Sequence, residues 1–179
     1  MSRTFFSCGD PLTGILHAKK APISIGTDVE PAVGSDLFTC MRLTLQHERN
    51  RGIIEALAKT SSRPQNSALT CRDALSWVTT GAAKIAGLDD RIGSITPGKQ
   101  ADIVLLRTDA LNMTPMHDLV GCAVMQAATV NVDTVIIAGR VMKQGGRLLA
   151  NGLAEKMQTL QRSGDRILAD FAALPRRGA

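Results

Sequence analysis

Asp28 is the residue of this sequence best placed for chemistry. It follows Pro22-Ile-Ser-Ile-Gly26 with only Thr27 between, and that apolar segment reads as a short strand entering a loop. A carboxylate just beyond the C-terminal end of a buried strand sits where α/β barrels place their catalytic groups. There it can bind a metal ion or take a proton from a metal-bound water. A turn or helix-capping aspartate is the plainer reading of Gly26-Thr27-Asp28, and local spacing leaves both open. The other reactive side chains form no array. His17, His47 and His117 include no pair two residues apart, and Cys8, Cys40, Cys71 and Cys122 include no Cys-x-x-Cys. Neither a zinc ribbon nor a thioredoxin-like motif can be read from them, and reduced, partly buried thiols of a cytosolic protein are expected. A catalytic zinc takes three protein ligands plus a water, so one aspartate does not complete such a site.

The elements that must position Asp28 can be placed in outline. Ser35 can cap a helix that opens at Asp36, an acid suited to the positive end of the helix dipole. Leu37, Met41 and Leu45 recur at i+4 beside Phe38 and suggest one apolar face, and Gly52, after Arg49 and Arg51, is a stop signal. A second apolar stretch, Ile53 to Ala58, is followed by a polar loop around Pro64. Thr70 and Asp73 have capping-box spacing, which predicts a helix through Leu75 and Val78, interrupted at Gly81 and ending near Gly87. Pro97-Gly98 fits the centre of a type II turn. Ile103 to Leu106 is a continuous apolar run, as expected for a strand covered on both sides. Val132 to Ala138 and Val141 to Lys143 flank Gly139-Arg140 as a hairpin, and Gly145-Gly146 turns into Arg147-Leu148-Leu149. Such a meander needs another layer to cover it. From Gly152 to Leu174 a long helix is expected. Its Leu153, Met157, Leu160, Ile167, Phe171 and Leu174 alternate in steps of four and three, with Gly164 at the missing position. A coiled coil and a helix packed on its own domain both fit, and the second is the expectation.

Bulk properties narrow the function classes. The chain has 179 residues, 44% hydrophobic and 21% charged, which is globular composition. It is too short for a complete (β/α)8 barrel of about 250 residues. Net charge is +5, but the basic residues are dispersed, and no Tyr, four Phe and one Trp furnish a poor base-stacking surface. Nucleic-acid binding is therefore not expected. The N-terminus lacks the apolar core of a secretory signal, and no apolar run approaches the roughly 18 residues of a membrane span. A cytoplasmic, membrane-free protein is expected.

Three stretches together carry a family resemblance: residues 23–28, Gly93-Ser-Ile-Thr-Pro-Gly-Lys-Gln-Ala-Asp-Ile-Val-Leu-Leu106, and Val135-Ile-Ile-Ala-Gly-Arg-Val141. They resemble the C-terminal part of the amidohydrolase superfamily, closest to its cytosine-deaminase-like and chlorohydrolase-like metal-dependent hydrolases. Asp28 to Arg42 resembles the stretch after the last barrel strand in that branch, and the likeness runs with gaps from about residue 10 to 150. Gly-Ser-x-x-Pro-Gly-Lys-x-Ala-Asp is its most specific element.

The resemblance implies an α/β fold: the last β/α unit of a TIM-type (β/α)8 barrel, part of a small β-sandwich, and a C-terminal helix. Residues 1–90 would be the end of the barrel, with 23–26 as its eighth strand, 91–150 the sandwich strands, and 151–179 the helix and tail. Asp28 aligns with the family's metal-liganding aspartate, which also shuttles protons, and Thr27 and Glu30 flank it as candidate substrate contacts. The implied chemistry is attack of a metal-activated hydroxide on an sp2 carbon of a small substrate, expelling ammonia, an amine or halide. Zinc is the expected metal and iron the alternative. The family's His-x-His pair and two further histidines have no counterpart in His17, His47 or His117. The chain thus reads as a C-terminal portion without barrel strands one to seven, binding no metal alone and inactive alone. Self-association or contact with the N-terminal portion is expected. The alternative is a non-catalytic folded remnant that only self-associates.

Overall fold

The structure is a computed structural model that describes residues 11–27 and 36–174. Helix α1 (Thr13–Ala18) leads into an extended segment, residues 21–27. The strand expected at 23–26 does not form: the segment joins no sheet among the described residues. A strand exists by its ladder, and a last barrel strand would draw its ladder from barrel neighbours.

Helix α2 (Leu37–Thr60) starts from Asp36, whose side chain accepts a hydrogen bond from the Phe38 N–H at 2.9 Å. Asp36, rather than Ser35, is therefore the cap, and Ser35 lies outside the described residues. The helix does not stop at Gly52 but continues to Ser61, which takes a left-handed conformation at φ 55°. An exposed glycine inside a helix costs only about 1 kcal/mol, too little to end it without a left-handed turn. Helix α3 (Cys71–Trp77) opens on the expected capping box, with Thr70 and Asp73 exchanging bonds at 3.2 and 2.8 Å. The break after it falls at Val78–Thr79, and Gly81 lies inside the next helix, α4 (Thr80–Ile85).

Strand β1 (Ile103–Leu106), helix α5 (Leu119–Met125), and strands β2 (Val132–Ile137), β3 (Arg140–Gln144) and β4 (Arg147–Leu148) follow. The sheet has the order β1-β2-β3-β4, antiparallel between β1 and β2 and between β2 and β3. Neighbouring residues of a strand face opposite sides, and Val104 and Leu105 are 54% and 51% exposed. The run read as covered on both sides thus leaves one middle residue exposed on each face, while Ile103 and Leu106 are half-buried and Leu106 packs against Met113, Cys122 and Ala127.

The main core joins α2, α3 and α5 around Trp77, with Met41, Leu45, Ala74 and Val124, and takes in Ile23 from the extended segment. A second cluster gathers Met113, Cys122 and Ala127, and Phe38 packs against both.

The chain divides into two compact units, Met1–Arg147 and Leu148–Ala179. In the second, helix α6 (Leu153–Ala172) starts from Gly152 at φ 67°. Within that unit nothing covers its apolar stripe, and none of its residues is buried.

Candidate functional site

Asp28 and Glu30 lie outside the described residues. What the structure shows is how the chain is delivered to them. Ile23 is 7% exposed in the core, Ile25 packs against the same cluster, and Thr27 is half-buried at the end of the segment. Helix α4 approaches the segment so closely that a Cβ at Gly81 would stand 2.5 Å from the Ile23 carbonyl oxygen and 2.9 Å from that of Ser76. The segment leading to Asp28 is therefore fixed by backbone packing as well as by side-chain burial.

The most specific motif proves to be a structural clamp. Gly93 has φ 89°, and a Cβ there would stand 2.6 Å from that of Ala83. Gly98 has φ 91°, and the Lys99 N–H donates to the Thr96 carbonyl at 3.1 Å, closing the turn read from Pro97-Gly98. The Lys99 ammonium donates to the carbonyls of Asp89 and Ile92. Asp102 accepts from the Ala138 N–H at 2.6 Å, and the Gly139 N–H donates to the Ala101 carbonyl at 3.0 Å. The motif thus pins the start of β1 onto the β2–β3 turn.

That turn has two central residues, Ala138 and Gly139 rather than the expected Gly139-Arg140, at φ 48° and 79°, because Arg140 pairs with Ile137 as the first residue of β3. Positive φ at both positions is the type I′ geometry that favours Asn-Gly. An alanine there carries a left-handed penalty of about 1 kcal/mol. Ala138→Asn is accordingly expected to raise stability by about 0.5–1 kcal/mol, read as a higher urea midpoint with unchanged m; an unchanged or lower midpoint would contradict the turn assignment.

The titratable groups lie elsewhere. An open cleft of about 270 Å³ is lined by His17, Lys20, Asp73, Ser76, Trp77 and Lys84, among others. It borders residues 20–23, the start of the extended segment, whereas Asp28 comes after the segment's end. Burial raises the Asp73 pKa, but hydrogen bonds from the Thr70 hydroxyl and N–H, with the nearby His17, outweigh it and hold the carboxyl below its ordinary value. Asp73 is thus a cap, not a proton donor. His47 is half-buried on α2 and His117 is exposed. Burial pushes the Cys40 thiol pKa up, away from nucleophilic use. Cys122 is buried, Cys71 meets the Arg49 guanidinium at 3.9 Å, and Cys8 lies outside the described residues. Among the described residues no three His, Cys, Asp or Glu side chains come together as a metal site. They do not by themselves fit the zinc that the family resemblance implies.

Several polar residues that hold the scaffold had no prominent signal in the sequence. Glu48, 4% exposed, accepts from the Gly14 N–H at 2.9 Å and from Arg51 at 2.8 Å, tying α1 to α2. It lies three residues beyond Leu45 on the apolar face, where a charge needs a partner, and that position was the available clue. Arg42 donates to the carbonyls of Val124 and Ala127 at the end of α5. Asn112 and Asn131 exchange side-chain amide bonds at 2.9 and 3.2 Å, and no spacing rule announces such a pair.

Residues 10–142 match the model of the Amidohydrolase family. The chain belongs to that family. It is 31% identical over 162 residues to the 5-methylthioadenosine/S-adenosylhomocysteine deaminase of Pelotomaculum thermopropionicum, covering 89% of this chain and 32% of that one. Among solved structures, an adenosine deaminase from Xanthomonas campestris with bound zinc superposes with a TM-score of 0.73 at 27% identity, covering 94% of this chain and 36% of that one. A zinc complex of an atrazine chlorohydrolase from Arthrobacter aurescens gives 0.68 at 22% identity, covering 85% and 31%, a likeness of fold. The chain thus spans about a third of the length of these relatives. Among the described residues no helix is long and apolar enough to cross a membrane.

Proposed function

We propose that this chain is the C-terminal portion of a cytoplasmic, metal-dependent amidohydrolase that removes ammonia from an amino-substituted heterocycle, with Asp28 as metal ligand and proton shuttle. Zinc is the expected metal and iron the alternative; Thr27 and Glu30 flank the site as substrate contacts. In this reading residues 1–90 end the barrel, with 23–26 taking its last strand position, 91–150 supply sandwich strands, and 151–179 form the helix and tail. The observation that carries the reading is the match over residues 10–142 to a family whose relatives are about three times longer. The exposed Val104 and Leu105 of β1 support it, since a sheet of this kind needs a second layer. Deamination is favoured over C–Cl hydrolysis because the deaminase likeness holds at 31% over most of the chain, while the chlorohydrolase likeness is one of fold. A purine nucleoside is the first substrate to try.

The isolated chain is expected to be inactive, and the test supplies what it lacks. The N-terminal two-thirds of the Pelotomaculum enzyme, fused ahead of residue 10, should give a zinc-loaded protein that releases ammonia from 5-methylthioadenosine or a related nucleoside. A folded, zinc-loaded fusion inert across a panel of amino- and chloro-heterocycles would refute the reading. A second reading, a non-catalytic remnant that only self-associates, draws on the exposed apolar stripe of α6.

A further inference from the structure

Helix α6 is 20 residues long, about 30 Å of helix, and carries an apolar stripe that nothing else among the described residues of its own unit covers. Met157, Leu160, Ile167 and Phe171 are 63%, 74%, 58% and 72% exposed. Written as heptads, Met157, Gly164 and Phe171 take one core position, and Leu153, Leu160, Ile167 and Leu174 take the other. We infer that α6 pairs antiparallel with α6 of a second copy of this chain, with Phe171 opposite the partner's Leu153, Met157 opposite the partner's Ile167, and Gly164 opposite the partner's Leu160.

Two observations select this occupant and this direction. The first is charge. In the antiparallel register each flanking position meets its own kind on the other helix, so Lys156 stands against the partner's Asp170, and Asp170 against the partner's Lys156. In the same register Ala154 meets the partner's Leu168, an apolar residue 69% exposed in the single chain, and Gln161 meets the partner's Gln161 across the two-fold axis. A parallel pair would set Lys156 against the neutral Gln161 of the partner and leave Asp170 without a cation. The second is Gly164. Its backbone does not need positive φ, and an added Cβ would meet nothing within 4 Å. A glycine inside a helix costs about 1 kcal/mol, and nothing in its own helix requires it. A second helix packed closely at that point does, because the partner's Leu160 then fills the space a side chain would take.

The pairing is independent of the hydrolase reading, and its test does not use activity. Sedimentation equilibrium of the full 179-residue chain should show a reversible dimer. Lys156→Asp and Asp170→Lys should each weaken dimerisation about tenfold, since each removes two ion pairs and creates two like-charge contacts. The double variant Lys156→Asp/Asp170→Lys should restore it. Gln161→Cys should cross-link copies on oxidation, and Leu160→Cys should not. A monomer at several hundred micromolar would overturn the proposal. So would a dimer indifferent to the charge variants, or one cross-linked through Leu160→Cys instead. Far-UV circular dichroism confirms that these exposed substitutions leave the helix formed.

Discussion

Trp77→Ala is expected to cost about 3–5 kcal/mol, most of the stability of a domain this size. Trp77 is 2% exposed, and it joins three helices and the extended segment in one cluster with Met41, Leu45, Ala74, Val124 and Ile23. Its removal takes away the largest apolar surface in the core and leaves a hole that rigid helix backbones fill only in part. The site also borders the open cleft, so water can enter, which places the cost inside the usual range for aromatic truncation. Because this is the only tryptophan, unfolding must be followed by far-UV circular dichroism rather than fluorescence. A loss below about 1.5 kcal/mol would mean that the helices do not close on one another as described.

Gly81→Ala is the smallest possible change with a comparable effect. The new methyl group would meet the carbonyl oxygens of Ile23 and Ser76 at 2.5 and 2.9 Å. Both are backbone atoms, so relief requires moving helix α4 or the extended segment, at about 1–3 kcal/mol. The segment is also the lead into Thr27 and Asp28. In the fused enzyme the same substitution should lower kcat by about a hundredfold, the scale on which a 1 Å displacement of a reacting group is felt, with KM little changed. Gly52→Ala is the control, since a Cβ there meets nothing within 4 Å, and it should be neutral or slightly stabilising. Equal effects of the two substitutions would remove the backbone contact from the explanation.

Local chemistry was legible in the sequence wherever a short-range rule governs it. The Thr70–Asp73 capping box, the Pro97-Gly98 turn, the β2–β3 hairpin and helix α6 all arise from residue types a few positions apart. Gly52 and Gly81 misled because a glycine that ends a helix and one that admits a neighbour look alike until the neighbour is known. The segment 23–26, read as a strand, finds no ladder among the described residues for a related reason. Apolar periodicity reports that a segment wants burial, but a ladder needs partners, and here Ile23 is buried by helices instead. The scaffold contacts of Arg42, Glu48, Asn112 and Asn131 span many residues of sequence and leave little or no periodic trace. Of the candidate site, the family could be read from motifs, whereas Asp28 and Glu30 lie outside the described residues. The motif carrying most of that resemblance does structural work, which is why it names a family better than it names a reaction.

The proposed role of Asp28 is tested most directly by zinc content, measured by elemental analysis on the isolated chain and on the fusion, each with and without Asp28→Asn. One aspartate without the other two protein ligands that a catalytic zinc takes should leave the isolated chain metal-free. The fusion should hold zinc near stoichiometry, and Asp28→Asn should weaken its hold at least tenfold while abolishing ammonia release. Stoichiometric zinc in the isolated chain, or a fusion whose zinc and turnover are both indifferent to Asp28→Asn, would contradict it.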